Sequence, residues 1–107
     1  MDKKIVIEIV EFRVLSGTQA EEFIKIVDSL ERDFHSQQKG FISTELARGR
    51  ENGCWIMIQH WECMDDAKQV IKLMMKTPIT EEFRKVLDPT SVKMSLLEQV
   101  SVWDKCL

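Results

Sequence analysis

Histidine and cysteine are both sparse: His35 and His60, with Cys54, Cys63 and Cys106, are the full set in 107 residues. An odd cysteine count without paired spacing argues against a disulfide framework and for a reducing compartment, where free thiols pack as small hydrophobes. Cys54 and His60 share one strand face but stand about 20 Å apart along it. Zinc ligands lie about 2 Å from their ion, so no metal site is expected. Cys63 is nearer to His60 but falls on the alternate face. A basic excess is also lacking, since fifteen Lys and Arg face eighteen Asp and Glu, for a net charge of -3. With the basic residues scattered, nothing marks a surface for neutralising a phosphate backbone, and nucleic acid is not an expected partner. No apolar run approaches the roughly 20 residues that span a bilayer. The opening "MDKKIVIEIVEF" is interrupted by Glu8 and Glu11, and no small-residue cleavage site follows. A cytoplasmic protein without membrane contact is therefore expected. Low-complexity segments and linkers are missing too, so residues 1–107 read as one domain.

What is present is a succession of strand and helix patterns. "KKIVIEIVEFRVL", residues 3–15, is rich in β-branched residues and closes at Ser16-Gly17. Thr18 and Glu21 have capping-box spacing. Ala20, Phe23, Ile24, Val27, Leu30 and Phe34 then recur every three or four residues, as one side of a helix does. Glu21, Glu22, Lys25, Asp28 and Arg32 form its wet face, and Gly40 is expected to end it. His35 lies near that end, where an imidazolium is favoured by the helix dipole. "FISTELARG", residues 41–49, and the stretch from Cys54 read as a strand pair joined by "RENG", an antiparallel hairpin. A second helix begins at Cys63 or Met64, with Asp65 and Asp66 at its positive end, and stops at Thr77-Pro78. Residues 80–87 suggest a short helix capped by Thr80 and ending before Asp88-Pro89. Residues 91–103 form the last strand. Strand, helix, strand, strand, helix, strand is the ferredoxin-like α+β order, βαββαβ with one antiparallel sheet and both helices on one face.

Such a sheet should alternate apolar and polar residues if its other face is wet. The third strand does not. One of its faces carries Cys54, Ile56, Ile58 and His60, the other Trp55, Met57, Gln59 and Trp61. The first strand sets Ile5, Ile7 and Ile9 opposite Val6, Val10 and Phe12. Two apolar faces with helices enough for one imply a second layer, and a homodimer that stacks sheet on sheet supplies it. A monomer would expose more apolar surface than soluble proteins usually tolerate.

Gly40-Phe41 opening the second strand, Trp61 closing the third, the acidic helix start "ECMDDA", and "TP" with Phe83 downstream occur in that order. In these motifs, and in element order and length over nearly the whole chain, the sequence resembles the antibiotic biosynthesis monooxygenase family of dimeric α+β barrels. The resemblance implies oxygenation of phenols, anthrones or quinols with O2 and no metal or flavin cofactor. It also implies a pocket between helices and sheet, bordered by Trp61. Some members of that family degrade haem with an asparagine on the first strand and a histidine on the second helix. Here the first strand has no asparagine and Met64 to Lys76 contains no histidine, which ranks haem degradation last.

Within this frame Trp61, Gln59 and Met57, with Phe23 and Val27 from the first helix, form a candidate apolar wall with one amide, suited to a flat aromatic or other small hydrophobic ligand. Arg13 at the end of the first strand is a candidate for polar substituents. An imidazole can take up a proton near neutrality, which makes His60 the candidate base for a phenolic or enolic proton. Alternation, however, turns it away from Trp61, where a structural histidine is the commoner outcome. Trp55 and Trp103 read as core. Met74 and Met75 are adjacent on a helix and cannot both face one way, so one is expected in the core and the other at a cleft or partner. Two functions are open: a cofactor-independent monooxygenase of a small aromatic substrate, or a dimeric binding or stress-response module that holds a ligand without chemistry.

Overall fold

Strand and helix patterns of this kind can only satisfy their buried faces by packing on one another, and the computed structural model, which describes residues 4–106, shows how they do so. The elements are β1 (Val6–Arg13), α1 (Ala20–Asp33), β2 (Phe41–Arg48), β3 (Cys54–Trp61), α2 (Met64–Met74), a short α3 (Glu81–Lys85) and β4 (Lys93–Glu98). Lys3, which the sequence pattern places in the first strand, lies outside the described residues. The strands form one antiparallel sheet in the order β2-β3-β1-β4, the ferredoxin-like α+β arrangement. β1 pairs with β3 over its whole length, from Val6 opposite Trp61 to Arg13 opposite Cys54.

The two sheet faces differ in cover. Val6, Phe12, Trp55, Met57 and Trp61 are buried beneath the helices with Phe23, Ile26, Val27, Leu30 and Phe34 of α1 and its C-terminal side, Ala67 and Val70 of α2, and Phe83 of α3. Phe12, Phe23, Trp55 and Phe83 interlock, the first three ring pairs lying 4.9 to 5.8 Å apart between centroids. On the other face Ile7, Ile9, Ile56 and Ile58 are half-buried and meet no helix, and Leu97 of β4 is exposed.

Several local expectations change in the folded chain. The first helix begins at Ala20 with Gln19 as its cap, and no side chain caps it. Thr18 is used in the preceding turn, where its amide donates to the Leu15 carbonyl, so the Thr18 and Glu21 capping box does not form. Ile26 takes the core place expected for Ile24, which is 42% exposed, because the buried stripe runs through Phe23, Ile26, Val27 and Leu30. Thr80 holds the N-cap position of the short helix, but its side chain makes no capping bond there. Its buried hydroxyl reaches the carbonyls of Met74 and Thr77 at 2.6 and 2.8 Å and accepts from Arg84 Nε at 3.0 Å, tying the end of α2 to α3. The last strand stops at Glu98 instead of Trp103, because its partner β1 ends there: Glu98 faces Val6, and Gln99 donates the last ladder bond to Ile5. Trp103 is accordingly 75% exposed and not core.

Gly40 does not end the first helix either, which closes at Asp33 and passes through a 3-10 turn at His35–Gln37. Its role is steric. With φ +84°, it lets the chain enter β2 against the first turn of α2, and a Cβ at this position would lie 2.2 Å from Asp66 Oδ2. Its carbonyl accepts from the Glu62 amide at 2.8 Å, locking the two segments together. Gly40→Ala is expected to lower stability by about 2 to 3 kcal/mol, from left-handed strain plus the clash. Adding Asp66→Ala should recover only a fraction of the loss, because the Cβ kept at position 66 would still lie 2.7 Å from the new methyl, as chemical denaturation of the three variants would measure.

Candidate functional site

Alternation along the two central strands decides which side chains meet beneath the helices. On β1 the inward positions are Val6, Glu8, Val10 and Phe12, and on β3 they are Trp55, Met57, Gln59 and Trp61. Glu8 therefore sits directly opposite Gln59 on one side and Leu96 of β4 on the other. Here a cavity of about 380 Å³ opens between sheet and helices. Its floor is Glu8, Val10, Met57, Gln59 and Met94, its wall Val70, Ile71 and Met74 of α2 with Met75 just after it, and its far side Phe83, Arg84 and Leu87. His35 closes one end. Nearly all of this lining is apolar, with Glu8, Gln59, His35 and Arg84 as the polar exceptions.

Glu8 is 5% exposed and its Oε1 accepts a hydrogen bond from Trp61 Nε1 at 3.0 Å. Trp61 itself is fully buried behind Glu8 and packed edge-on against Phe41 and His35, with ring centroids 5.6 and 6.1 Å away. The indole is thus fixed, and it fixes the carboxyl in turn. His35 is 4% exposed, and its Nδ1 lies 2.5 Å from Glu31 Oε2 one helical turn earlier. The second Glu31 oxygen is buried without a hydrogen-bond partner among the described residues. Burial raises the Glu8 pKa above the ordinary carboxylate value, and the Glu31 charge pushes the same way; the Trp61 hydrogen bond and the nearby His35 oppose it. A carboxyl that holds its proton more tightly than usual, set in an apolar cavity, is a group with acid-base capacity. Gln59 is also buried, its Nε2 donating to Thr44 Oγ1 at 3.0 Å, so its amide orientation is set by β2.

The residues singled out from sequence fall into five places. Met57 and Gln59 line the cavity. Trp61 stands behind it as the support of Glu8. Phe23 and Val27 are in the core, packed where no cavity wall exists. Arg13 is at the far end of β1, paired with Glu51 at 2.5 Å and bordering a separate cleft with Glu11, Cys54 and Lys93. His60 is on the opposite face of the sheet, its Nδ1 3.4 Å from Ser43 Oγ, as alternation predicts. Both Met74 and Met75 line the cavity: Met74 packs on the core and Met75, 69% exposed, stands at the rim. Glu8, His35 and Arg84 were not expected here. For Glu8 a signal existed, since it shares parity with Val6, Val10 and Phe12 and is the one charge on the inward side of β1. His35 is turned inward by the 3-10 turn, which periodicity does not reveal. Among the described residues no three His, Cys, Asp or Glu side chains converge as a metal-binding group.

The ferredoxin-like fold of this chain has known counterparts. Residues 5–72 match the model of the family described as antibiotic biosynthesis monooxygenase, and the chain belongs to that family. In three dimensions it is similar to SnoaB, a cofactor-independent oxygenase from Streptomyces nogalater, with TM-score 0.74, 18% identity and coverage of 92% of this chain and 96% of that one. It is similar as well to PA3566 from Pseudomonas aeruginosa, with TM-score 0.68, 16% identity and coverage of 94% and 99%. A dimeric ferredoxin-like protein from an uncultured marine organism has TM-score 0.65, 13% identity and coverage of 97% and 95%. None of the curated proteins matches the sequence.

Because the Glu8 pKa is raised in the folded chain, its contribution to stability is fullest below the unfolded carboxylate value and is lost as pH rises through the folded value. Glu8→Gln keeps the acceptor for Trp61 and cannot ionise. Thermal denaturation should show Glu8→Gln more stable than the natural chain at about pH 7 and equal to it near pH 4, and a reversed order at neutral pH would contradict the burial argument.

Proposed function

We propose that the chain is a cofactor-independent monooxygenase that oxidises a small, flat, largely apolar substrate in the cavity above Glu8, using O2 directly. The observation that carries this reading is the cavity itself: about 380 Å³, apolar on nearly every side, with Glu8 and Gln59 at the base, His35 at one end and Arg84 on the far side as its polar groups. Pockets of this kind bind aromatic rings by area and orient them by a few polar groups. A suitable substrate has a CH2 or OH made acidic by adjacent rings, as anthrones and quinols do. Loss of that proton leaves an electron-rich carbon that reacts with O2. For a CH2 group the balance is one O2 consumed, one C=O formed and one water released. The protein's part is to orient the ring, exclude bulk water and accept the proton.

His60 faces away from this cavity and is read as structural. Haem degradation has the least support, since the α2 wall presents Val70, Ile71 and Met74, with Met75 just after it, and no imidazole. The main alternative is a binding module that holds the same class of ligand without chemistry.

The second apolar face supports a homodimer. Ile7, Ile9, Ile56, Ile58 and Leu97 form a stripe that no helix among the described residues covers, and stacking on a second copy would bury it. Ile58→Glu is expected to convert a dimer to a monomer in sedimentation velocity, while a monomeric natural chain would remove this assignment.

Oxygen-electrode measurements with a panel of anthrones and quinols test the reaction. The expected result is uptake with one carbonyl product per O2. Ligand binding without uptake across the panel would favour the binding module. Ile71→Trp, which fills the cavity from the α2 wall, should weaken binding at least about tenfold with the fold retained by circular dichroism.

A further inference from the structure

Glu8 is the one carboxyl set inside the cavity, and every element around it treats it differently. From β3 it faces an amide, Gln59, and an indole, Trp61; from β4, Leu96 and Met94; from α2, Val70, Ile71 and Met74. The titratable and charged groups on its surroundings are His35 and Glu31 from the end of α1 and the turn after it, and Arg84 from α3. Glu8 makes no ion pair among the described residues. Its Oε1 is occupied by Trp61 Nε1, whereas Oε2 has no hydrogen-bond partner among them. An indole donor has a particular consequence here. It holds the carboxyl in one direction, as a guanidinium would, but carries no positive charge that would strip the group of basicity. β1 is hydrogen-bonded on both edges, so the backbone beneath Glu8 is fixed as well.

We propose that Glu8 is the catalytic base of this site, taking the substrate proton on Oε2 while Trp61, as a positioning residue, holds Oε1. The assignment rests on the monooxygenase reading for its oxygen step. The proton passes from the substrate C–H to Glu8 and the electron pair of that bond stays on carbon, which adds O2 to give a peroxide anion. Glu8 returns its proton to the terminal peroxide oxygen. It then removes the remaining hydrogen from the same carbon as the C=O forms and the O–O bond breaks, and the departing hydroxide takes that proton to leave as water. Glu8 ends ionised, and the sum is one CH2 and one O2 converted to one C=O and one water. A carboxyl with raised pKa is matched to a weakly acidic C–H better than an ordinary glutamate would be.

The experiment separates proton transfer from oxygenation. Anthrone is incubated with the protein anaerobically in D2O, and exchange of its CH2 hydrogens is followed by NMR; the same variants are then assayed for oxygen uptake. The natural chain should accelerate exchange with a rate that rises with pH through a midpoint above the ordinary glutamate range. Glu8→Gln should bind anthrone within about threefold of the natural chain by equilibrium dialysis, yet lose at least about 100-fold in exchange rate together with that midpoint. Trp61→Phe should move the midpoint upward, because it removes a hydrogen bond to the ionised carboxyl, and Glu8→Asp should restore part of the rate. In the ligand-free protein the Trp61 indole N–H resonance should titrate with the same midpoint. Exchange that is as fast in Glu8→Gln, or absent in the natural chain, overturns the role of Glu8. Exchange that depends on Glu8 without oxygen uptake upholds it and overturns the monooxygenase reading instead.

Discussion

The unbroken pairing of β1 with β3 is the constraint from which the rest of the molecule follows. Eight residues of each strand are in register, and with side chains alternating between faces this single pairing sorts Val6, Glu8, Val10 and Phe12 together with Trp55, Met57, Gln59 and Trp61. A slip of β1 by one residue against β3 would turn Glu8 out of the core and bring Ile7 and Ile9 under the helices, while Trp61 stayed inside. The site would vanish and the isoleucine stripe with it. Packing defends the register: Trp61 is fully buried, and it cannot move to the opposite face without leaving a void worth several kcal/mol.

Given that register, a polar pair at the base of an apolar cavity is a local conflict that the fold tolerates. A carboxyl taken out of water costs free energy, which a neutral indole donor offsets only in part. The raised Glu8 pKa expresses that cost. A sequence selected for stability alone would place leucine or valine there, as at Val6 and Val10. Local inconsistency inside an otherwise consistent strand is where function is usually found, and here the inconsistency is a single glutamate. The neighbouring Glu31 and His35 pair adds a second buried polar contact at the end of the same cavity, so the polar groups are concentrated and the remaining wall is free to bind by area.

Element order was legible in the chain because strand alternation and helical spacing arise from local backbone geometry. The doubled apolar faces of β1 and β3 were legible for the same reason, and so was the separation of His60 from Trp61. Other features depended on neighbours remote in sequence. Gly40 looked like a helix end because its left-handed φ suits one, yet its need for no side chain comes from Asp66 in another element. Thr80 had the pattern of a cap, while its hydroxyl serves carbonyls at the end of the preceding helix. β4 was overestimated because the length of a strand is set by its partner, and β1 runs out opposite Glu98. Phe23 and Val27 have the spacing of a cavity wall and of a core stripe alike; only the position of Phe83 and Trp55 made them core.

The sequence by itself determined the ferredoxin-like α+β order and the face on which each strand residue lies, since these are properties of covalent geometry and period. It also carried Glu8 on the inward parity of β1. Only the tertiary structure decided that Glu8 meets Trp61, that His35 turns inward to close the cavity, and that Arg13 is elsewhere. Those outcomes follow from strand order and helix docking, which bring Glu8 and Trp61 within hydrogen-bond distance across 53 positions of chain, a separation at which no local pattern holds information.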